Sequence, residues 1–269
     1  MNRENMLIEA DELLSKLGNK NLRIFDAAIT DDQYMQGHIP GAAYFDHEKF
    51  SDPRAKYEYT ILPPSELAVQ IAEIGISNDN EVVFYSWGML PYAARAWWIL
   101  HYAGHTNVRV LNCGFAAWQN AGGQLWQEVH QYESATFNAH FIPSMFADKE
   151  EVTESLKDNS ISVENVLPQI SYDGAHITGS ANINCMELMY DMDSFVSTDK
   201  LISRLQETTQ YDRIITYCGG GIAAALSAMA HVMVGQENIA VYDGSLYEWI
   251  GEGLPITGSG KWEFWKIKA

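Results

Sequence analysis

Arg213-Ile214-Ile215-Thr216-Tyr217-Cys218-Gly219-Gly220-Gly221-Ile222-Ala223-Ala224 is the stretch on which the reading of this chain turns. The β-branched run at 213–216 predicts a short buried strand, and residues 223–234, rich in alanine and methionine, predict a helix. A strand therefore delivers Cys218 to a glycine loop, and the loop delivers the chain to a helix. Three successive glycines let the backbone curl tightly with its N–H groups turned inward, and the positive end of the following helix points the same way. Such a cradle stabilises an anion. The nearest candidate is the thiolate of Cys218, so Gly219, Gly220, Gly221, Ile222 and Ala223 are expected to surround a nucleophilic, solvent-reachable thiol.

Composition narrows what such a thiol could serve. The 269 residues suffice for one large domain or two ordinary ones, and 47% hydrophobic residues with eight tryptophans predict a well-packed core. A net charge of −18 argues against nucleic acid or an anionic membrane surface as partner, since both carry the same sign. Cys113, Cys185 and Cys218 are odd in number and widely spaced, which indicates neither a disulfide framework nor a metal site. Residues 1–18 read as an amphipathic helix without the pattern of an export signal, and no apolar run reaches membrane-spanning length. A reducing, cytoplasmic setting is expected, with no cofactor.

The surroundings of Cys218 occur twice in the chain. Gly37-His38-Ile39-Pro40-Gly41-Ala42-Ala43 returns as Ala175-His176-Ile177-Thr178-Gly179-Ser180-Ala181, and Val82-Val83-Phe84-Tyr85-Ser86 returns as Ile214-Ile215-Thr216-Tyr217-Cys218. Asn107-Val108-Arg109-Val110 with Trp118 returns as Asn238-Ile239-Ala240-Val241 with Trp249. The order is kept, and the offset drifts only from 138 (His38 to His176) to 131 (Trp118 to Trp249), so the chain holds two copies of one domain. Strands at 22–27, 81–85 and 108–111 alternate with helices at 64–75 and 93–103 in the first copy. Strands at 160–165, 213–217 and 239–242 match them in the second. This predicts an α/β fold in which each copy is a mainly parallel sheet flanked by helices. The expected domains are 1–123, a linker at 124–146 lying across both, and 147–269. The first copy carries Ser86 at the cysteine position, followed by Trp87-Gly88-Met89-Leu90-Pro91 without an adjacent acid or base, so a packing role and an inactive domain are expected.

The tandem repeat, the Gly37–Ala42 motif, the Cys218 loop and Gly114 followed by Trp118 together resemble the two-domain rhodanese sulfurtransferases, over nearly the whole chain. The resemblance implies that Cys218 accepts a sulfane sulfur from a small donor, thiosulfate or 3-mercaptopyruvate, and passes it as a persulfide to a thiol or cyanide. The loop is closer to the Cys-Gly-Ser-Gly-Val-Thr-Ala form of the mercaptopyruvate enzymes, with Gly220 in place of the serine and Ala223 in place of the threonine. Restoring that hydroxyl by Gly220→Ser is therefore expected to raise turnover. The family's substrate-holding arginine has no counterpart in Val163-Glu164-Asn165-Val166-Leu167 or on to His176, which removes a two-point anion clamp. In the mercaptopyruvate enzymes the region after the first histidine motif supplies an acid and a histidine. Here it offers Asp46 and Glu48 as cleft candidates, with Tyr59 or Thr60 near the histidine's place, in an insert at 51–61 without counterpart in the second copy.

Other readings remain open at this stage. A sulfur carrier fed by a partner protein would need no small-anion clamp. A Cys-x5-Arg phosphatase would need an arginine where Ala224 stands. His38 and His176 occupy equivalent places and are expected to build the turn, Arg95 to pair structurally, and Cys113 and Cys185 to be buried thiols.

Overall fold

The strand Glu81–Tyr85 is apolar on both faces, with Val82, Val83 and Phe84 at 0% exposure, as a central parallel strand must be. In the computed structural model, which describes residues 3–263, it is the middle strand of the first of two compact units. Of the described residues, 3–53, 61–142 and 190–195 form the first unit, and 54–60, 143–189 and 196–263 the second. The units thus differ from a single cut at a linker, because each takes in a short segment from the other half of the sequence. Residues 124–142 run along the first unit, with Trp126 bridged to His38 and His130 to Ala43.

The first unit runs α1 (Arg3–Met6), β1 (Leu7–Ile8), α2 (Ala10–Lys16), β2 (Leu22–Asp26), α3 (Asp32–Gln36), β3 (Ala42–Tyr44), α4 (Pro64–Glu73), β4 (Glu81–Tyr85), α5 (Leu90–Tyr102), β5 (Val108–Leu111) and α6 (Phe115–Asn120). Its five strands are parallel in the order β1-β5-β4-β2-β3. The amphipathic helix expected over residues 1–18 is broken: Leu7 and Ile8 pair with Val110 and Leu111 as an edge strand. Burial explains the break, since pairing takes both side chains to 4% and 1% exposure, which a helix turned to solvent on one face could not do. Helix α4 opens on Pro64 and closes before Gly75, whose φ of +83° only glycine adopts cheaply.

Beyond residue 142 the chain runs β6 (Phe146–Ala147), α7 (Lys149–Ser155), β7 (Ile161–Asn165), α8 (Gln169–Gly174), β8 (Ala175–Ile177), β9 (Ala181–Asn182), β10 (Met189–Tyr190), β11 (Ser194–Phe195), α9 (Thr198–Leu205), β12 (Arg213–Tyr217), α10 (Ile222–Met233), β13 (Ile239–Tyr242), α11 (Ser245–Gly251) and β14 (Ile256–Gly258), and all of it except segment 190–195, which holds β11 and the end of β10, belongs to the second unit. Its main sheet is again parallel, in the order β6-β13-β12-β7-β9, which repeats the first strand for strand. Small side chains let α10 lie close on this sheet, for Ala224, Ala225, Ala228 and Ala230 are all within 2% of full burial.

The duplication extends to single hydrogen bonds. His38 donates from Nδ1 to the Tyr34 carbonyl at 2.9 Å and stacks on that tyrosine, and His176 does the same with Tyr172 at 2.7 Å. The hydroxyls of Tyr85 and Tyr217 accept from the N–H groups of Ile39 and Ile177. Both histidines therefore tie the turn to the preceding helix, the structural part expected of them. Arg95 is likewise internal, 3% exposed with its guanidinium 4.8 Å from the Trp98 ring centroid.

Candidate active site

β12 ends at Tyr217 and α10 begins at Ile222, so Cys218 and the three glycines form the whole connection, at the carboxyl edge of the central strand. Gly221 caps α10 with φ +80°, a left-handed conformation that a β-branched residue does not tolerate. The helix is twelve residues long and its first-turn amides have no partner within it, so its positive end opens on the loop. The second helix to reach this loop is α11. Ser245 Oγ accepts from the Cys218 N–H at 3.1 Å and donates to the Tyr242 carbonyl, while Leu246 and Tyr247 N–H donate to the carbonyls of Cys218 and Gly219 at 3.1 and 3.0 Å. The loop conformation is thus fixed from both ends.

Cys218 is buried, at 3% exposure, where the sequence predicted a solvent-reachable thiol. Three aromatic rings close on the two glycines that follow it. A Cβ added to Gly219 would lie 2.7 Å from Trp262 Cη2, and one added to Gly220 would lie 3.1 Å from Cδ2 of both Tyr247 and Tyr59. The glycines are therefore needed for close approach of rings as well as for curvature, and a serine at 220 would crowd two tyrosines. Tyr59 belongs to the segment 54–60, which the second unit takes in, and has itself a positive φ of 62°. That segment is held by Glu252, whose carboxylate accepts from the Tyr57 hydroxyl and pairs with Lys56 at 2.9 Å. The Tyr57 hydroxyl and Lys56 bring the Glu252 pKa down to about 2.

Asp46 and Glu48 lie in the first unit, where Asp46 caps a short 3-10 helix at 47–50 by accepting from the Glu48 N–H, and Glu48 is exposed. Where the family's arginine would follow β7, Asn165 is buried and folds its Oδ1 onto the Leu167 N–H at 2.9 Å, as Asp26 does onto Ala28 in the first unit. Cys185 is buried and Cys113 half-buried, short of the burial expected for it; burial pushes each thiol up to about 12. Ser86 is 4% exposed, consistent with packing. Tyr247, Trp262 and Ser245 were not singled out from sequence, because nothing local marks a residue as facing a loop elsewhere in the chain, whereas Tyr59 stands near the place that the resemblance gave to a cleft histidine. Among the described residues no His, Cys, Asp or Glu group could hold a metal ion, and no helix is long and apolar enough to cross a membrane.

Two parallel α/β units of one strand order, the second presenting a cysteine in a glycine loop at a helix N-terminus, define a tandem-repeat α/β protein. The Rhodanese-like domain family matches residues 9–121 and 148–252, and the chain belongs to that family. It is 31% identical over 272 residues to a thiosulfate sulfurtransferase of Cricetulus griseus, covering 92% of this chain and 91% of that protein. It is 28% identical to the 3-mercaptopyruvate sulfurtransferase of Escherichia coli K12, covering 90% and 94%. The crystal structure of SseA from Escherichia coli, a 3-mercaptopyruvate sulfotransferase, superposes with a TM-score of 0.80 at 27% identity, over 89% of this chain and 98% of that one. The protein is accordingly a tandem-rhodanese sulfurtransferase, with a sulfur donor and a sulfur acceptor as its substrates.

Proposed function

We propose that this enzyme moves a sulfane sulfur from thiosulfate or 3-mercaptopyruvate to a thiophilic acceptor through a persulfide on Cys218. The observation that carries the reading is the position of Cys218 between the end of β12 and the N-terminus of α10, in a loop of three glycines. The Cys218 thiolate attacks the outer sulfur of thiosulfate, an S–S bond to Sγ forms, the donor's S–S bond breaks, and sulfite leaves with the electron pair. From mercaptopyruvate the bond broken is C–S, and the carbon takes a proton as pyruvate departs. The persulfide anion then lies against the loop and the helix end, whose N–H dipoles need no reorganisation to hold it. Attack by the acceptor on the outer sulfur returns Cys218 to its thiolate. The domain carrying Ser86 serves as support, and both domains work without a cofactor.

Support also comes from what replaces the arginine. Asn165 and Leu167 offer no charge, so the donor is held by backbone dipoles and binds weakly, and a protein-borne donor would meet no penalty there. Intact mass after exposure to each donor tests the reading: one added sulfur is expected on the wild type and none on Cys218→Ser. An unchanged mass with both donors would overturn it.

A further inference from the structure

A cavity of about 280 Å³ opens in the first unit beyond the carboxyl ends of β2 and β4. From β2 the chain passes to β3 on one side of the sheet and from β4 to β5 on the other, so these two neighbours flank the point where the winding reverses. Crevices at such a point are where open α/β sheets bind ligands. In the second unit Cys218 holds the matching place, after β12 and beside β7. Ser86 and Trp87, the first residues after β4, line the cavity together with Ile29, Thr30, Asp32 and Met89. Ser86 is 4% exposed and Trp87 8%, yet neither Ser86 Oγ nor Trp87 Nε1 has a hydrogen-bond partner within the protein. Packing does not account for this, because an alanine would fill the Ser86 position without an unpaired hydroxyl, and a buried donor left unpaired is destabilising. The Trp87 ring is held against Tyr85 and Phe115, at centroid distances of 4.7 and 5.7 Å.

The chemistry of the walls selects the ligand. An indole N–H only donates, so it calls for an acceptor. Among the lining residues Asp32 alone is charged, held by the Thr30 hydroxyl at 3.0 Å, and it opposes an anion. The loop amides that could offset it are taken, Gly88 N–H by the Asp193 carboxylate and Leu90 N–H by the Met192 carbonyl. Ile29 and Met89 form an apolar rim, each more than a third exposed. At about 30 Å³ for each water-sized group the volume holds about nine of them, the size of benzamide. We propose that this cavity is a second binding site, for a small uncharged molecule whose carbonyl or amide oxygen accepts from Trp87 Nε1 and Ser86 Oγ and whose apolar body lies against Ile29 and Met89. The site does not depend on the persulfide reading, and it gives the copy without a cysteine a function of its own.

Benzamide, benzoate and benzamidine share one shape and differ in charge, and they serve as probes on the full chain labelled with nitrogen-15. The chain has eight tryptophans, and the indole N–H signal of Trp87 is assigned by its loss in Trp87→Phe. Benzamide is expected to move that signal and to saturate at millimolar concentration, with benzoate and benzamidine each about tenfold weaker or more. Ser86→Ala should weaken benzamide about fivefold, the worth of one neutral hydrogen bond, and Ile29→Phe should narrow the rim and weaken it independently. A Trp87 signal that benzamide leaves in place up to its solubility limit would overturn the site. Benzoate or benzamidine binding as tightly as benzamide would overturn the ligand class, and an unchanged affinity in both variants would place the bound molecule elsewhere.

Discussion

The Asp193 carboxylate accepts a hydrogen bond from the Gly88 N–H at 2.5 Å, in the loop where the first copy carries Ser86 in place of cysteine. The Met192 carbonyl, beside it, accepts from Leu90 N–H at the start of α5. Gly114 leaves room for this contact, since a Cβ there would lie 2.6 Å from Asp193 Cγ. The first unit's loop, at the place of the Cys218 loop in the other copy, thus takes an internal carboxylate. Segment 190–195 is the counterpart of segment 54–60 in reaching a loop: one meets its loop with a carboxylate, the other with the Tyr59 ring.

From this contact follows a stability effect. Asp193→Ala removes an acceptor at a helix N-terminus and should cost about 1–2 kcal/mol, visible as a fall of a few degrees in Tm, while Asp193→Asn should cost less. A Tm unchanged in Asp193→Ala would show that the carboxylate holds nothing.

At the active loop the structure reverses an expectation drawn from resemblance. Gly220→Ser should lower turnover several-fold, because its Cβ meets Cδ2 of both Tyr247 and Tyr59 at 3.1 Å and two rings would have to give way at once. Gly221→Val should abolish transfer, since φ +80° is closed to a β-branched residue. Steady-state rates with both donors decide this; a faster Gly220→Ser enzyme would mean that the rings move freely.

Behind the loop, Glu164 on β7 and His231 on α10 are both fully buried and 3.0 Å apart, with Ser162 donating to the other carboxylate oxygen. Removing one partner leaves the other desolvated and unpaired, so His231→Ala should cost about 3–5 kcal/mol in denaturant unfolding. His231→Gln, which keeps a donor, should cost clearly less, and equal losses would assign the effect to volume instead of pairing.

How much of this was legible in the residues depends on range. β4, β5, β12 and β13 fall at the predicted residues because β-branched runs between turn residues are local signals, and the repeat made the sheets agree. Edge strands such as Leu7–Ile8 and Ala181–Asn182 are two residues long, too short for any period to register, and exist only through the neighbour they pair with. At the site, Cys218 and its glycines could be read because strand, loop and helix are contiguous. Trp262 could not, for its meeting with Gly219 is set by packing across about 40 residues, and Tyr59 was marked only by resemblance, its contact with Gly220 spanning some 160.

Asp26 and Asn165 give the last prediction, because the repeat has already made the substitution. Both are 0% exposed and both accept from the N–H two residues on, but only Asp26 can ionise. Burial raises its pKa from 3.8 to about 6, against the opposing pull of the Ala28 N–H and the Tyr85 hydroxyl. A folded-state value above the unfolded one means that the folded protein binds the extra proton. The stabilisation is therefore complete below about pH 4 and is lost as pH rises through about 6, a difference of about 3 kcal/mol by neutral pH. Asp26→Asn should remove that slope. The difference in unfolding free energy between variant and wild type should grow in favour of the variant between pH 4 and 6 and stay level above pH 7. Taking the difference cancels His47 and His101, which burial pushes down to about 4 and whose effect on stability runs the opposite way in this range. A difference that is flat from pH 4 to 7 would mean that Asp26 titrates in the folded protein as it does in the unfolded chain.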